Sequence, residues 1–152
     1  MTRKFLFAKI HRATVTQVEL HYTGSITIDA NLLDASGIVE NELVQVLNIN
    51  NGQRFETYVI RGDPGSGSIC LNGAAARLAM VGDKVIIVSY CDLLPNEILS
   101  HKPKVVHVDA QNRLRPGLDE QAPVTRNPNS LRYHPSSRCP TNRTDQVRGK
   151  VI

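Results

Sequence analysis

The run Leu43-Val44-Gln45-Val46-Leu47-Asn48-Ile49 stops at Asn50-Asn51-Gly52 and resumes as Arg54-Phe55-Glu56-Thr57-Tyr58-Val59-Ile60. Two short apolar runs joined through Asn-Gly predict a β-hairpin, because that turn needs residues that tolerate positive φ. The same punctuation recurs at Val81-Gly82-Asp83, ahead of the apolar run Val85-Ile86-Ile87-Val88. A short helix, a turn ending in an acidic residue and an apolar strand occur at 30–49 and again, weakly, at 73–90. This repeat suggests two interlocked half-motifs closing a small barrel. Composition points the same way: of 152 residues 41% are hydrophobic, but aromatics reach 5% and Trp is absent. The core must come from Val, Ile, Leu and Ala, and β-branched residues favour a pleated surface. The expectation is one mainly β domain with short helices.

The remaining elements follow from local signals. Residues 4–20, with Ile10, Thr14, Val15, Thr16 and Val18, predict one or two strands, and Ile26-Thr27-Ile28 another. Asp29 is placed to cap a helix over residues 30–36, which Gly37 can end in a left-handed conformation. The loop 62–68 leads through Ile69-Cys70-Leu71 to Asn72-Gly73-Ala74-Ala75-Ala76, read as a turn opening a helix, and Val105-Val106-His107-Val108 is the last predicted strand.

Charge divides the chain near residue 110. Residues 1–110 carry 10 Lys and Arg against 11 Asp and Glu, whereas residues 111–152 carry 8 against 3. The basicity belongs to a tail rich in Pro, Asn, Arg and Ser, expected to be disordered because it has few apolar residues to offset the entropy of ordering. Such a tail can touch nucleic acid, but a solvated segment is the more ordinary reading. Cys70, Cys91 and Cys139 show no Cys-x-x-Cys spacing, and the histidines no metal-ligand spacing, so neither a metal nor a disulfide framework is expected. Lys9 interrupts the first apolar run before signal-peptide length. No stretch approaches the ~20 apolar residues of a membrane span. A cytoplasmic protein is the expectation.

One strand-like stretch, Leu20-His21-Tyr22-Thr23-Gly24-Ser25-Ile26-Thr27-Ile28-Asp29, is broken by a Gly-Ser step. Taken alone, the pair reads as a turn. Taken with Lys9-Ile10-His11-Arg12, with Asn51-Gly52, Arg54 and Thr57-Tyr58, and with Gly65-Ser66-Gly67 followed by Asn72-Gly73-Ala74-Ala75, it resembles the aspartate 1-decarboxylases over roughly residues 1–110. Gly82-Asp83 is similar to the Gly-Asp turn of the double-psi β-barrel, the fold of that family.

The resemblance implies a pyruvoyl-dependent enzyme that converts L-aspartate to β-alanine and CO2 for pantothenate synthesis. Loss of CO2 leaves a carbanion at Cα, and no ordinary side chain offers a conjugated sink. A ketone joined to the substrate amine as a Schiff base does, without pyridoxal phosphate or a metal. By the same resemblance the ketone comes from Ser25. Its Oγ attacks the Gly24 carbonyl, β-elimination releases a chain of residues 1–24, and hydrolysis of the dehydroalanine leaves the pyruvoyl group and ammonia. The amide-to-ester shift is uphill unless the backbone at Gly24 is strained.

The resemblance assigns Tyr58 as proton donor, a role its neutral phenol suits. It assigns Thr57, Gly73, Ala74, Ala75, Arg54 and Lys9 to substrate, Asn72 to processing, and His11 and Tyr22 to the flanks of the site. It further implies a homotetramer with sites between subunits. Read from the residues alone, Arg54 is a solvated hairpin residue, Lys9 an edge-strand charge, and Asn72 a helix cap. Thr57 and Tyr58 point to opposite faces of an ideal strand, so a twist, bulge or subunit boundary is needed for both to serve one site. Two other readings stand beside this one: the same chemistry on another amino acid, and a non-catalytic barrel whose tail binds nucleic acid or a partner. The intact Gly24-Ser25, Thr57-Tyr58 and Asn72-Gly73 set argues against the second.

Overall fold

The computed structural model describes residues 1–115. Local signals act where expected. Asp29 accepts from the Asn31 N–H and starts α1 (Ala30–Ser36), and Gly37, at φ +77°, ends it with its N–H on the Leu33 carbonyl. The other elements in chain order are β1 (Arg3–Thr14), β2 (Gln17–Glu19), β3 (Ser25–Asp29), β4 (Leu43–Asn48), β5 (Arg54–Gly62), β6 (Ile69–Asn72), β7 (Lys84–Leu93) and β8 (Lys104–His107). A six-residue 3-10 helix, Gly73–Leu78, stands where an ordinary helix was expected. Its first residue, Gly73, is left-handed, at φ +62°.

The strands run in the order β2-β6-β3-β5-β4-β7-β1-β8. β6 separates β2 from β3, and β3 separates β5 from β6, so two pairs consecutive in the chain are each split by a third strand. In each case the intervening strand is parallel to one neighbour and antiparallel to the other. These are two interlocked psi crossings. β1 and β2 form one nearly continuous strand, which pairs with β7 through Ala13–Thr14 and with β6 through Gln17–Glu19. β5 bridges in the same way, to β4 through Arg54–Tyr58 and to β3 through Val59–Gly62. The two bridging strands close a mainly β, double-psi barrel, and the weak repeat in the sequence marks its two halves.

The core is built from alternate strand residues, among them Ile10, Ile26, Ile28, Val46, Leu71 and Ile87, all essentially inaccessible to solvent. Burial of such side chains drives the closure. β8 adds an edge strand parallel to β1. After it, Asn112 is buried and fills its hydrogen-bonding capacity: Oδ1 accepts from the Thr14 N–H, and Nδ2 donates to the carbonyls of Thr14 and Gly67. Residues 111–115, which composition had assigned to the disordered tail, are therefore part of the barrel's edge. The expected tail from 116 to 152 lies outside the described residues. Among the described residues, no helix is long and apolar enough to cross a membrane.

Candidate active site

β3 is sandwiched between β5 and β6, and its alternation sorts its side chains. Ile26 and Ile28 enter the core, leaving Ser25, Thr27 and Asp29 on the other face. Antiparallel pairing sets Ser25 opposite Asn72 and Thr27 opposite Cys70. The four polar side chains meet. Asn72 Nδ2 donates to Ser25 Oγ at 2.8 Å and to Thr27 Oγ1 at 3.1 Å, and the Cys70 thiol lies 3.2 Å from Asn72 Oδ1. Ser25 Oγ in turn donates to the Thr23 carbonyl at 3.3 Å. Asn72 makes no side-chain capping bond to the 3-10 helix. The cap expected from the residues alone is therefore not formed by its side chain, which instead pairs with Ser25 and Thr27. Burial, with Glu19 nearby, pushes the Cys70 thiol above its ordinary pKa, so it remains a donor to the Asn72 amide oxygen.

Ser25 is fully buried, whereas Gly24 and Tyr22 are exposed. The strain expected at Gly24 is not a left-handed backbone: Gly24 is absent from the positive-φ glycines, and Gly73 across from it is present at φ +62°. A Cβ on Gly73 would come within 2.7 Å of Gly24 Cα and of the Tyr22 carbonyl oxygen. A Cβ on Gly24 would meet only the Asn72 carbonyl oxygen, at 3.8 Å. The glycine that steric fit demands is therefore Gly73, whose bare backbone accepts the 22–24 segment. Ala75, beyond it, is buried, and Ala74 is exposed.

The parallel register pairs Ile26 with Val59. Continued by one and two residues, it sets Tyr58 level with Ser25 and Thr57 level with Gly24. Tyr58 is 39% exposed, Thr57 is half-buried, and the following Val59 is in the core. The two neighbours do face opposite ways. Tyr58 shares the outward face of Ser25, and Thr57 shares the inward side.

Arg54 and Lys9 are not brought to this cluster within one chain. Arg54 is exposed on the same outward face of β5 as Tyr58 but four residues away, about 13 Å at the rise of a strand. Lys9 pairs with Val88 on β7, Val88 with Gln45 on β4, and Gln45 with Glu56 on β5. That places Lys9 three strands from β5, roughly 14 Å away. His11, two residues on from Lys9, lies edge-on to His107 with ring centroids 5.4 Å apart. Burial first, then Lys9, His107 and Arg12, hold its pKa below the usual histidine value. Among the described residues, no group of three or more His, Cys, Asp or Glu could hold a metal ion.

Thr27 and Cys70 were missed in the sequence. Each stands two residues from a recognised one, Ser25 or Asn72, and so on the same strand face, but only the pairing of β3 with β6 makes them neighbours.

The aspartate decarboxylase family model matches residues 1–115. An aspartate 1-decarboxylase of Caldicellulosiruptor saccharolyticus is 63% identical over 114 residues, covering 75% of this chain and 89% of that one. One from Neisseria meningitidis is 57% identical over 125 residues, covering 82% and 98%. A computationally designed protein of known structure, msDPBB_sym2, aligns with 56% of this chain and 96% of its own at 19% identity and a TM-score of 0.38. With a family match across its whole described length and relatives well above half identical, the chain belongs to the aspartate decarboxylase family.

Proposed function

We propose that this chain converts L-aspartate to β-alanine and CO2, and that it prepares itself by cleaving the bond between Gly24 and Ser25. The observation that carries the reading is the buried Ser25 hydroxyl, held by Asn72 Nδ2 at 2.8 Å next to Gly24. The same Nδ2–H would donate to the oxygen of a ketone formed at residue 25.

In the uncleaved chain Asn72 fixes the Ser25 rotamer, and Gly73 receives the 22–24 segment beside it. Attack of Oγ on the Gly24 carbonyl carbon converts the amide to an ester. β-Elimination breaks the Cβ–Oγ bond and frees the Gly24 carboxylate, and water then replaces the nitrogen of residue 25, which leaves as ammonia. The pyruvoyl group so formed would supply a ketone that, once joined to the substrate amine, could accept the electron pair left when CO2 departs, with Asn72 Nδ2 placed beside it. Tyr58, level with residue 25 and partly open to solvent, donates the proton that Cα then needs. The backbone of Gly73, Ala74 and Ala75 borders the approach, and Thr57, level with Gly24 but turned to the opposite face of β5, would join it only at a boundary between copies. Strand pairing of β2 with β6, and of β1 with β7 and β8, keeps residues 1–24 attached after cleavage.

Aspartate brings two carboxylates, and the cations suited to them, Arg54 and Lys9, stand apart from Ser25 in one chain. A second copy supplies them. The outward sheet that carries Arg54 also exposes Leu43 (63%), Tyr90 (44%) and Tyr58, an apolar face suited to contact between copies. This face supports contact between copies; taken with the family resemblance, the reading is a homotetramer with shared sites, acting in the cytoplasm in pantothenate synthesis.

The test is turnover of L-aspartate against L-glutamate by fully cleaved protein. CO2 and β-alanine from aspartate, with little from glutamate, is expected. Preference for glutamate would move the substrate, and no CO2 from either would overturn the reading.

A further inference from the structure

The pairing of β1 with β7 slips between Ile10 and Ala13, leaving His11 and Arg12 in a bulge. Arg12 there adopts φ +61°, a left-handed conformation uncommon outside glycine and often kept where function needs it. The bulge and the turn after β8 border an open cleft of about 230 Å³, whose walls include His11, Arg12, Lys84, His107, Asp109 and Arg115. Three permanent cations thus converge from three separate segments. The ion pairs among the described residues, Lys4–Asp92 and Arg61–Asp34, involve none of them. Lys84 Nζ donates to Thr14 Oγ1. Asp109, the one carboxylate in the wall, turns Oδ1 to the backbone N–H groups of Gln111 and Arg113. His11 Nδ1 is buried with no hydrogen-bond partner. A buried polar atom without a partner in the chain leaves a hydrogen-bonding position to offer a ligand.

We propose that this cleft binds a phosphate-class oxyanion, gripped by Arg12 and Arg115, with Lys84 contributing charge and His11 Nδ1–H donating to an anion oxygen. The guanidinium fork matches tetrahedral oxyanions in two-point contacts. The volume is several times the ~30 Å³ share of a water molecule, enough for the ion and part of an attached group. Arg12, Lys84 and Arg115 have no part in the decarboxylase reading, and His11, at the flank of that site, is the one residue the two share.

The experiment is calorimetric titration of the full chain with inorganic phosphate, with glycerol phosphate and with chloride at matched ionic strength. Saturable binding of the phosphates and none of chloride is expected. Arg12→Asn, which tolerates the left-handed backbone, and Arg115→Gln, in the surface turn, should each weaken it by about tenfold or more, while leaving aspartate turnover unchanged. Tighter binding of the monoester assigns the site to the phosphate group of a larger metabolite, and equal binding assigns it to the free ion. Unsaturable heats, or phosphate affinity unchanged in both variants, would overturn the proposal.

Discussion

The Ser25 cluster and the outward sheet carrying Arg54 and Lys9 are built on opposite terms. Around Ser25 the groups are buried or half-buried, and Asn72, Cys70 and Ser25 each donate to an acceptor supplied by the same chain. On the sheet the cations are separated, set between exposed apolar side chains and far from the bond to be cut. On the proposed function the difference separates two tasks: self-cleavage would need only what one chain holds, whereas gripping a dicarboxylate would need groups that one chain does not bring together.

Substitutions can break or sharpen that contrast. Ser25→Ala should have the largest effect, with no cleavage on a denaturing gel and CO2 release at background. Tyr58→Phe should cleave like the parent but lose about 10²–10⁴-fold in kcat, the usual worth of a positioned proton donor. Cleavage that failed in Tyr58→Phe would merge the two tasks. Arg54→Gln should cleave normally and raise KM by roughly 10- to 100-fold, as expected for a lost charge-assisted contact. Mixed oligomers of Ser25→Ala and Arg54→Gln chains should recover part of the activity if copies share sites, and no recovery would confine the site to one chain. Gly73→Ala should slow cleavage about 5- to 100-fold, from ~1–3 kcal/mol of left-handed strain and the collision with the 22–24 segment, whereas Gly24→Ala should fold and cleave far better.

The smallest effect concerns pH. Because the folded-state pKa of His11 is lowered, the unfolded chain binds more protons as pH falls through about 6.5. Thermal stability should therefore decline below that pH and be steady above it. His11→Gln should flatten the decline.

Much of this was legible in the sequence because its signals are local. Asp29 and Gly37 frame α1, Asn50-Asn51-Gly52 turns the hairpin, and the half-repeat marks the barrel's two halves. Ser25, Tyr58 and Asn72 came from resemblance, and alternation alone could not group them, because the face shared by Ser25 and Asn72 depends on β6 returning antiparallel beside β3 across 47 residues. The same long-range pairing hid Thr27 and Cys70. It also hid which glycine is sterically required: Gly24 is conspicuous in the sequence, but the close approach is at Gly73. Composition placed the tail boundary at 111, one residue before the buried amide of Asn112, since hydrogen bonding rather than apolar content secures that turn.

The most direct test is the intact mass of fresh and aged protein. Two fragments are predicted, residues 1–24 ending in a carboxylate and residues 25–152 beginning in a ketone that amines trap, their masses summing to the precursor plus water minus ammonia. A single unbroken chain at every age, with no trappable ketone, would contradict the account.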